Sequence, residues 1–225
     1  MAAVPPHGLS LPQLLAALAH DLKNPLAALT TNLHFLSSTQ DSGDGQRDEA
    51  LDDSLVVAEQ LDLLLRNLEL FARGEAPSSR MAELSLSAVL DDALRRVGRI
   101  ARAAGVVVAL GPSPAVTRAF GDADLLTRAL ENCLINAFEH APRGSAVAVD
   151  VLSDGEPRVR VTADRVRSWT MFEGGDVAGQ RAQAIFGRGL SLLCADLAAR
   201  AGGARLELAR SPAGGSMEIV VPARG

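Results

Sequence analysis

Basic runs, cysteines and long apolar stretches are scarce in this chain, and each shortage closes off a class of function. No run of lysine or arginine occurs, and the aromatic residues, 3% of the whole, form no stripe interleaved with basic ones. With a formal charge of −5 and a pI near 5.4, the chain lacks the electrostatic footprint of a nucleic-acid binder. Its two cysteines, Cys133 and Cys194, lie in helix-like apolar segments without metal-ligand spacing around them. They read as buried free thiols in a reducing compartment. Residues 2–19 carry no charged side chain, yet they have no basic leader, contain Pro5, Pro6 and Pro12, and offer only a short apolar run before His20. That argues against both a signal peptide and a membrane span. The expectation is a cytoplasmic chain with no membrane or nucleic-acid partner, and with nothing before the first helix that could serve as a sensor domain. There is no internal repeat or low-complexity segment of consequence.

What is present is a soluble globular composition, 48% hydrophobic and 22% charged, in 225 residues, enough for one large domain or two small ones. From Leu11 to Leu36 the apolar residues keep a helical period. Leu15, Leu22, Leu29 and Leu36 recur every seven residues, with Leu11, Leu18, Leu26 and Leu33 beside them. A polar stretch around Thr39 to Gln46 reads as a loop. A second helix is predicted from about Asp48 to Phe71, its seam formed by Leu51, Ala58, Leu65 and Ala72 with Leu55, Leu61 and Leu68 in support. Two such helices make an antiparallel hairpin. One hairpin cannot bury so wide a stripe, so a second copy completing a four-helix bundle is expected.

Gly74 to Ser79 changes the composition abruptly and reads as a linker. Beyond it the pattern is mixed. Helices are predicted over Ser87–Ala104, over Asp122–His140 and from Gly189 to about Gly202-Gly203. Strands are expected at Val106–Leu110, at Val147, Val149 and Val151, at Val159 and Val161 beyond a turn at Asp154-Gly155, at Leu206–Leu208 and at Met217–Val221. The fold class is therefore α+β, a helical hairpin over 1–76 forming a dimeric four-helix bundle, followed by an α/β sandwich over 77–225.

His20 stands out in the first helix. Each helical residue turns about 100°, so His20, two positions from both Leu18 and Leu22, points about 200° away from each, toward water. A neutral imidazole is a good nucleophile toward phosphorus, and Asp21 is placed to orient the ring and accept its proton. Asn24, one turn along on the same face, could orient a water or a phosphoryl oxygen. Pro25 removes a backbone donor and bends the helix beside the histidine. A solvated surface histidine beside a tolerated kink is the plainer account of the same residues.

The run His20-Asp21-Leu22-Lys23-Asn24-Pro25-Leu26 resembles the phosphoacceptor box of bacterial two-component sensor histidine kinases, where the box lies in the first helix of a dimerising hairpin. The resemblance implies that His20 is phosphorylated on its ring, that Asp21 acts as the base, and that Asn24 helps dephosphorylate a partner. That partner would be the receiver domain of a response regulator. It also implies that the second half is of the histidine-kinase ATPase type. Glu131 to Pro142 is similar to the family's asparagine box. Asn132 and Asn136, spaced i, i+4, share a helix face, and with His140 they could hold phosphates and a Mg²⁺ ion, with Asn136 as the metal ligand. A merely solvated polar face would show the same spacing. Gly187-Arg188-Gly189-Leu190, opening a helix, is similar to the second glycine box, where backbone amides meet phosphate charge.

The family's first glycine box is where the sequence departs. An aspartate and two alternating glycines are expected after a strand, the aspartate binding adenine. Here Val159–Thr162 leads into Ala163-Asp164-Arg165-Val166-Arg167-Ser168. Asp164 can serve as the adenine ligand only with a one-residue shift of register, and the glycines are absent. The span from Arg165 to Phe186 is short for a lid over ATP, and Glu139 stands where a basic residue is common. These departures weigh against productive binding of ATP with Mg²⁺. Three functions remain open on the sequence: a histidine phosphotransferase exchanging phosphate with receiver domains, an ATP-dependent autophosphorylating kinase with a divergent pocket, and a non-catalytic dimeric interaction module.

Overall fold

A computed structural model of the chain describes residues 11–38, 44–73, 78–112, 117–164, 190–211 and 214–222. The chain divides into two compact units. The first takes in the N-terminal helices as far as Leu68, and the second runs from Glu69 and contains every strand.

The first unit is built from α1 (Leu11–Ser38) and α2 (Asp44–Arg73), in the places the heptad spacing predicts. Pro25 lies inside α1. It offers no N–H to the carbonyl of Asp21. One turn further, Thr30 and Thr31 return their hydroxyls to the carbonyls of Leu26 and Ala27, at 2.8 and 2.9 Å.

The buried side of α2 differs from the predicted seam. Val56, Leu63 and Leu70 form the buried seven-residue series, whereas Leu51, Ala58, Leu65 and Ala72 are exposed. The two series are two residues out of step, about 200° around the helix, so they occupy opposite faces. Both are apolar, and spacing alone does not say which is inward. On α1, Leu22, Leu29 and Leu36 are half-buried while Leu26 and Leu33 are exposed. α2 is thus apolar on two sides, whereas the leucines of α1 share one stripe that is only partly covered.

In the second unit, β1 (Ala82–Ser85) leads into α3 (Leu86–Ala104). Ser85 caps α3 by accepting the amide of Ala88, and Gly105, with φ at 68°, closes it. Then follow β2 (Val107–Leu110), β3 (Arg118–Gly121), α4 (Ala123–His140), β4 (Ala146–Leu152) and β5 (Arg158–Asp164). The chain ends in α5 (Leu190–Ala201), β6 (Arg205–Ser211) and β7 (Gly214–Val220). Five strands form one sheet in the order β2-β4-β5-β7-β6, with β2 parallel to β4 and the remaining pairs antiparallel.

Register places Val149 opposite Val161 and Val161 opposite Met217, so the alternating valines of β4 and β5 stack on one face. That face is buried, and α4, which packs on α3, lies against β5 and β7. Arg158, Arg160 and Glu218 occupy the other face, where Glu218 pairs with both arginines at 3.1 and 2.6 Å. The α/β sandwich is therefore as expected. Two strands, β1 and β3, were not anticipated. They pair antiparallel as a separate two-stranded sheet. Their sequences, Ala-Glu-Leu-Ser and Arg-Ala-Phe-Gly, lack the β-branched residues that mark the equally short β2.

Candidate functional site

The box around His20 lies in the middle of α1. The side chains of His20 and Asp21 are outside the described residues. Around them, Ala19, Lys23 and Asn24 are exposed, and Leu22 and Pro25 are half-buried. Lys23 and Asn24 thus face solvent beside a partly covered Leu22.

The second cluster is held by α4. Asp122 caps its start, accepting the amides of Asp124 and Leu125 with one carboxylate oxygen. About three and four turns on, Asn132 and Asn136 are buried in the protein, at 0% and 2% exposure, which overturns the solvated-face account of this helix. Asn132 donates from Nδ2 to the carbonyl of Arg128 at 2.9 Å. Asn136 donates from Nδ2 to Ser191 Oγ at 3.2 Å, a contact across 55 residues that joins α4 to the first turn of α5. Its Oδ1 is buried and has no hydrogen-bond partner. A buried acceptor in that state costs about 1–3 kcal/mol, so it marks a place where a ligand is expected. A hard cation, which takes oxygen ligands, fits it.

His140 ends α4, half-buried, and Glu139 beside it is exposed. Glu131 is almost fully buried and is countered by the Arg96 guanidinium at 3.3 Å. Asp164 closes β5, its backbone opposite Gly214, while its side chain lies outside the described residues. Arg165 to Ser168, the departing part of the first glycine box, and Gly187 and Gly189 of the second also lie outside them. What the structure brings together is thus Asn136 with Ser191 at the opening of α5. Sequence reasoning missed Ser191, whose only signal was its place two residues beyond Gly189.

The cysteines are inert packing groups. Burial pushes the Cys133 thiol up to about 12 and raises that of Cys194 as well. Among the described residues, no three His, Cys, Asp or Glu side chains gather as a metal site, and no helix is long and apolar enough to cross a membrane.

Comparison with known proteins follows the same division. Residues 10–77 match the His Kinase A (phospho-acceptor) domain. The sensor-type histidine kinase PrrB of Mycobacterium tuberculosis is 30% identical over 218 residues, covering 91% of this chain and 46% of that protein. The sensor-like histidine kinase SenX3 of the same organism is 28% identical over 189 residues, 79% of this chain and again 46% of that protein. The chain therefore spans under half the length of these relatives. Among solved structures, the Acinetobacter baumannii histidine kinase AdeS superposes with a TM-score of 0.59 at 13% identity, over 92% of this chain and 98% of that one. That likeness shows a shared fold.

Proposed function

We propose that this chain, which belongs to the two-component sensor histidine kinase family, carries a phosphoryl group on His20 and exchanges it with the receiver aspartate of a response regulator. The observation that carries the proposal is the box His20 to Leu26. It lies inside the matched phosphoacceptor segment, on a helix whose Lys23 and Asn24 are open to solvent. On this reading residues 1–76 form the phosphoacceptor hairpin and 77–225 the ATP-binding-type domain. The exposed leucines of the hairpin, Leu33 at 53% and Leu65 at 54% among them, support a second copy covering that face as a homodimer.

In the transfer, a ring nitrogen of His20 attacks phosphorus in line with the receiver's acyl phosphate. The bond to the carboxylate oxygen breaks, and the receiver aspartate leaves as a carboxylate. Asp21 holds the imidazole's other N–H, keeping the attacking nitrogen unprotonated and stabilising the charge that develops on the ring. In a separate reaction, hydrolysis of the partner's acyl phosphate, Asn24, one turn along, positions the attacking water, and phosphate and the receiver carboxylate leave.

A second reading, autophosphorylation from the chain's own ATP, is favoured by the open Oδ1 of Asn136. Bound Mg²⁺·ATP would supply a phosphoryl donor with its charge partly neutralised. Asn136 would hold the cation, and Asn132, His140 and the backbone at Gly187 and Gly189 would line the phosphates. Asp164 would meet the adenine.

Purified chain is incubated separately with labelled phospho-receiver and with labelled ATP. Label on His20 from the receiver, lost in His20→Ala, is the expected result. Label from ATP with none from the receiver overturns the exchange in favour of autokinase activity. No label from either source leaves a non-catalytic interaction module.

A further inference from the structure

Ser78 and Ser79, the end of the predicted linker, and Arg80 and Met81 after it lie within the second unit, at a point the phosphoryl chemistry does not use. Ser78 donates its amide to the carbonyl of Ala201, at the end of α5, at 2.9 Å. Its hydroxyl donates to Oδ2 of Asp122 and accepts the amide of Arg80 at 3.0 Å. The Arg80 guanidinium reaches the same Oδ2 at 3.6 Å and Asp124 at 3.1 Å. Next along, a Cβ at Gly203 would collide with the methyl of Met81, and φ there is +86°. The amide of Asp122 in turn donates to the carbonyl of Gly202 at 3.1 Å. Linker, α4 and α5 thus meet at one corner.

The carboxylate of Asp122 is buried, at 2% exposure, and its two oxygens are divided between two tasks. Oδ1 takes the amides of Asp124 and Leu125 and so caps α4, while Oδ2 takes the linker. A buried carboxylate whose second oxygen loses its donor bears a desolvation cost, which is relieved when the side chain turns to water and leaves the cap.

We propose that the charge of Asp122 couples the linker to α4, so that, with the carboxylate in place, loss of the Ser78 contact unsettles the first turn of that helix. Displacing the linker therefore loosens the start of the helix that carries Asn132 and Asn136. The two corners are about 21 Å apart along the helix, 14 residues at about 1.5 Å each. The linker thereby acts on the helix bearing the second cluster from its far end, without touching that cluster. This coupling does not depend on which donor serves His20.

Hydrogen–deuterium exchange of the full chain, read residue by residue, tests it with Ser78→Ala, Asp122→Asn and Ser79→Ala. Ser78→Ala is expected to raise exchange about tenfold at Arg80 and, although Ser78 touches neither group, also at the amides of Asp124 and Leu125. Asp122→Asn keeps a good capping oxygen but loses the charge that holds Ser78 and Arg80. It is expected to expose the linker while Asp124 and Leu125 stay protected. Ser79→Ala should match the wild type. Faster exchange confined to the linker in Ser78→Ala, or no change at all, overturns the coupling. Loss of protection throughout the second unit in both Ser78→Ala and Asp122→Asn overturns it too, since the contact would then be only structural.

Discussion

Replacing Asn136 by alanine should leave the apo protein about as stable as the wild type, although the side chain is 2% exposed in the centre of a packed helix. Three terms set the outcome. Removing Oδ1, a buried acceptor without a partner, relieves about 1–3 kcal/mol. Losing the 3.2 Å bond from Nδ2 to Ser191 costs about 1 kcal/mol. The small void left behind costs up to about 1 kcal/mol more. The terms cancel to within about 1 kcal/mol. Leu134→Ala, two residues earlier and 0% exposed, is the control, with an expected loss of about 2–5 kcal/mol. Urea unfolding followed by circular dichroism, with and without Mg²⁺·ATP, separates the cases. On the second functional reading, nucleotide at a hundred times its Kd stabilises the wild type by about 2.7 kcal/mol and leaves Asn136→Ala unmoved. An Asn136→Ala variant that loses as much as Leu134→Ala without nucleotide refutes the reasoning, because Oδ1 would then be structurally satisfied and no cation site would follow from it.

Two further outcomes follow from the surface. Leu33→Glu with Leu65→Glu puts one charge at an exposed leucine of each helix of the hairpin. Sedimentation should then show monomer where the wild type is a dimer, and a wild type already monomeric removes the basis of the homodimer. Glu156 lies beside Arg205, whose hydrogen bonds hold its carboxyl below the ordinary value of 4.5. A depressed carboxyl contributes stability above its ordinary range and loses it as pH falls through the lowered value. Glu156→Gln should therefore lower the melting temperature slightly at neutral pH and leave it unchanged in strong acid, where the wild type has lost the same contribution, as measured by melting temperature against pH.

Helices and longer strands were legible because their signals are local. Seven-residue leucine series, valines alternating at 147, 149 and 151 and again at 159 and 161, and glycines at helix ends all lie within one element. The His20 box was legible for the same reason: its residues are neighbours on one helix, so spacing fixes their relative placement. β1 and β3 escaped because Ala-Glu-Leu-Ser and Arg-Ala-Phe-Gly lack the β-branched run that marks the equally short β2, and their pairing, Ala82 opposite Gly121 at 39 residues' separation, is settled only in three dimensions.

The amino-acid order by itself determined the two long helices, the α/β sandwich and the family to which the acceptor box points. Tertiary structure decided which apolar series of α2 is buried, since two series about 200° apart look alike until other groups cover one of them. It turned Asn132 and Asn136 from a face open to water into buried groups, and left one oxygen of Asn136 facing no donor. Only folding brought Ser191 to that amide and Ser78 to Asp122. Hydrogen bonds between residues 55 and 44 positions apart are set by packing of the elements that carry them, and no local spacing encodes them.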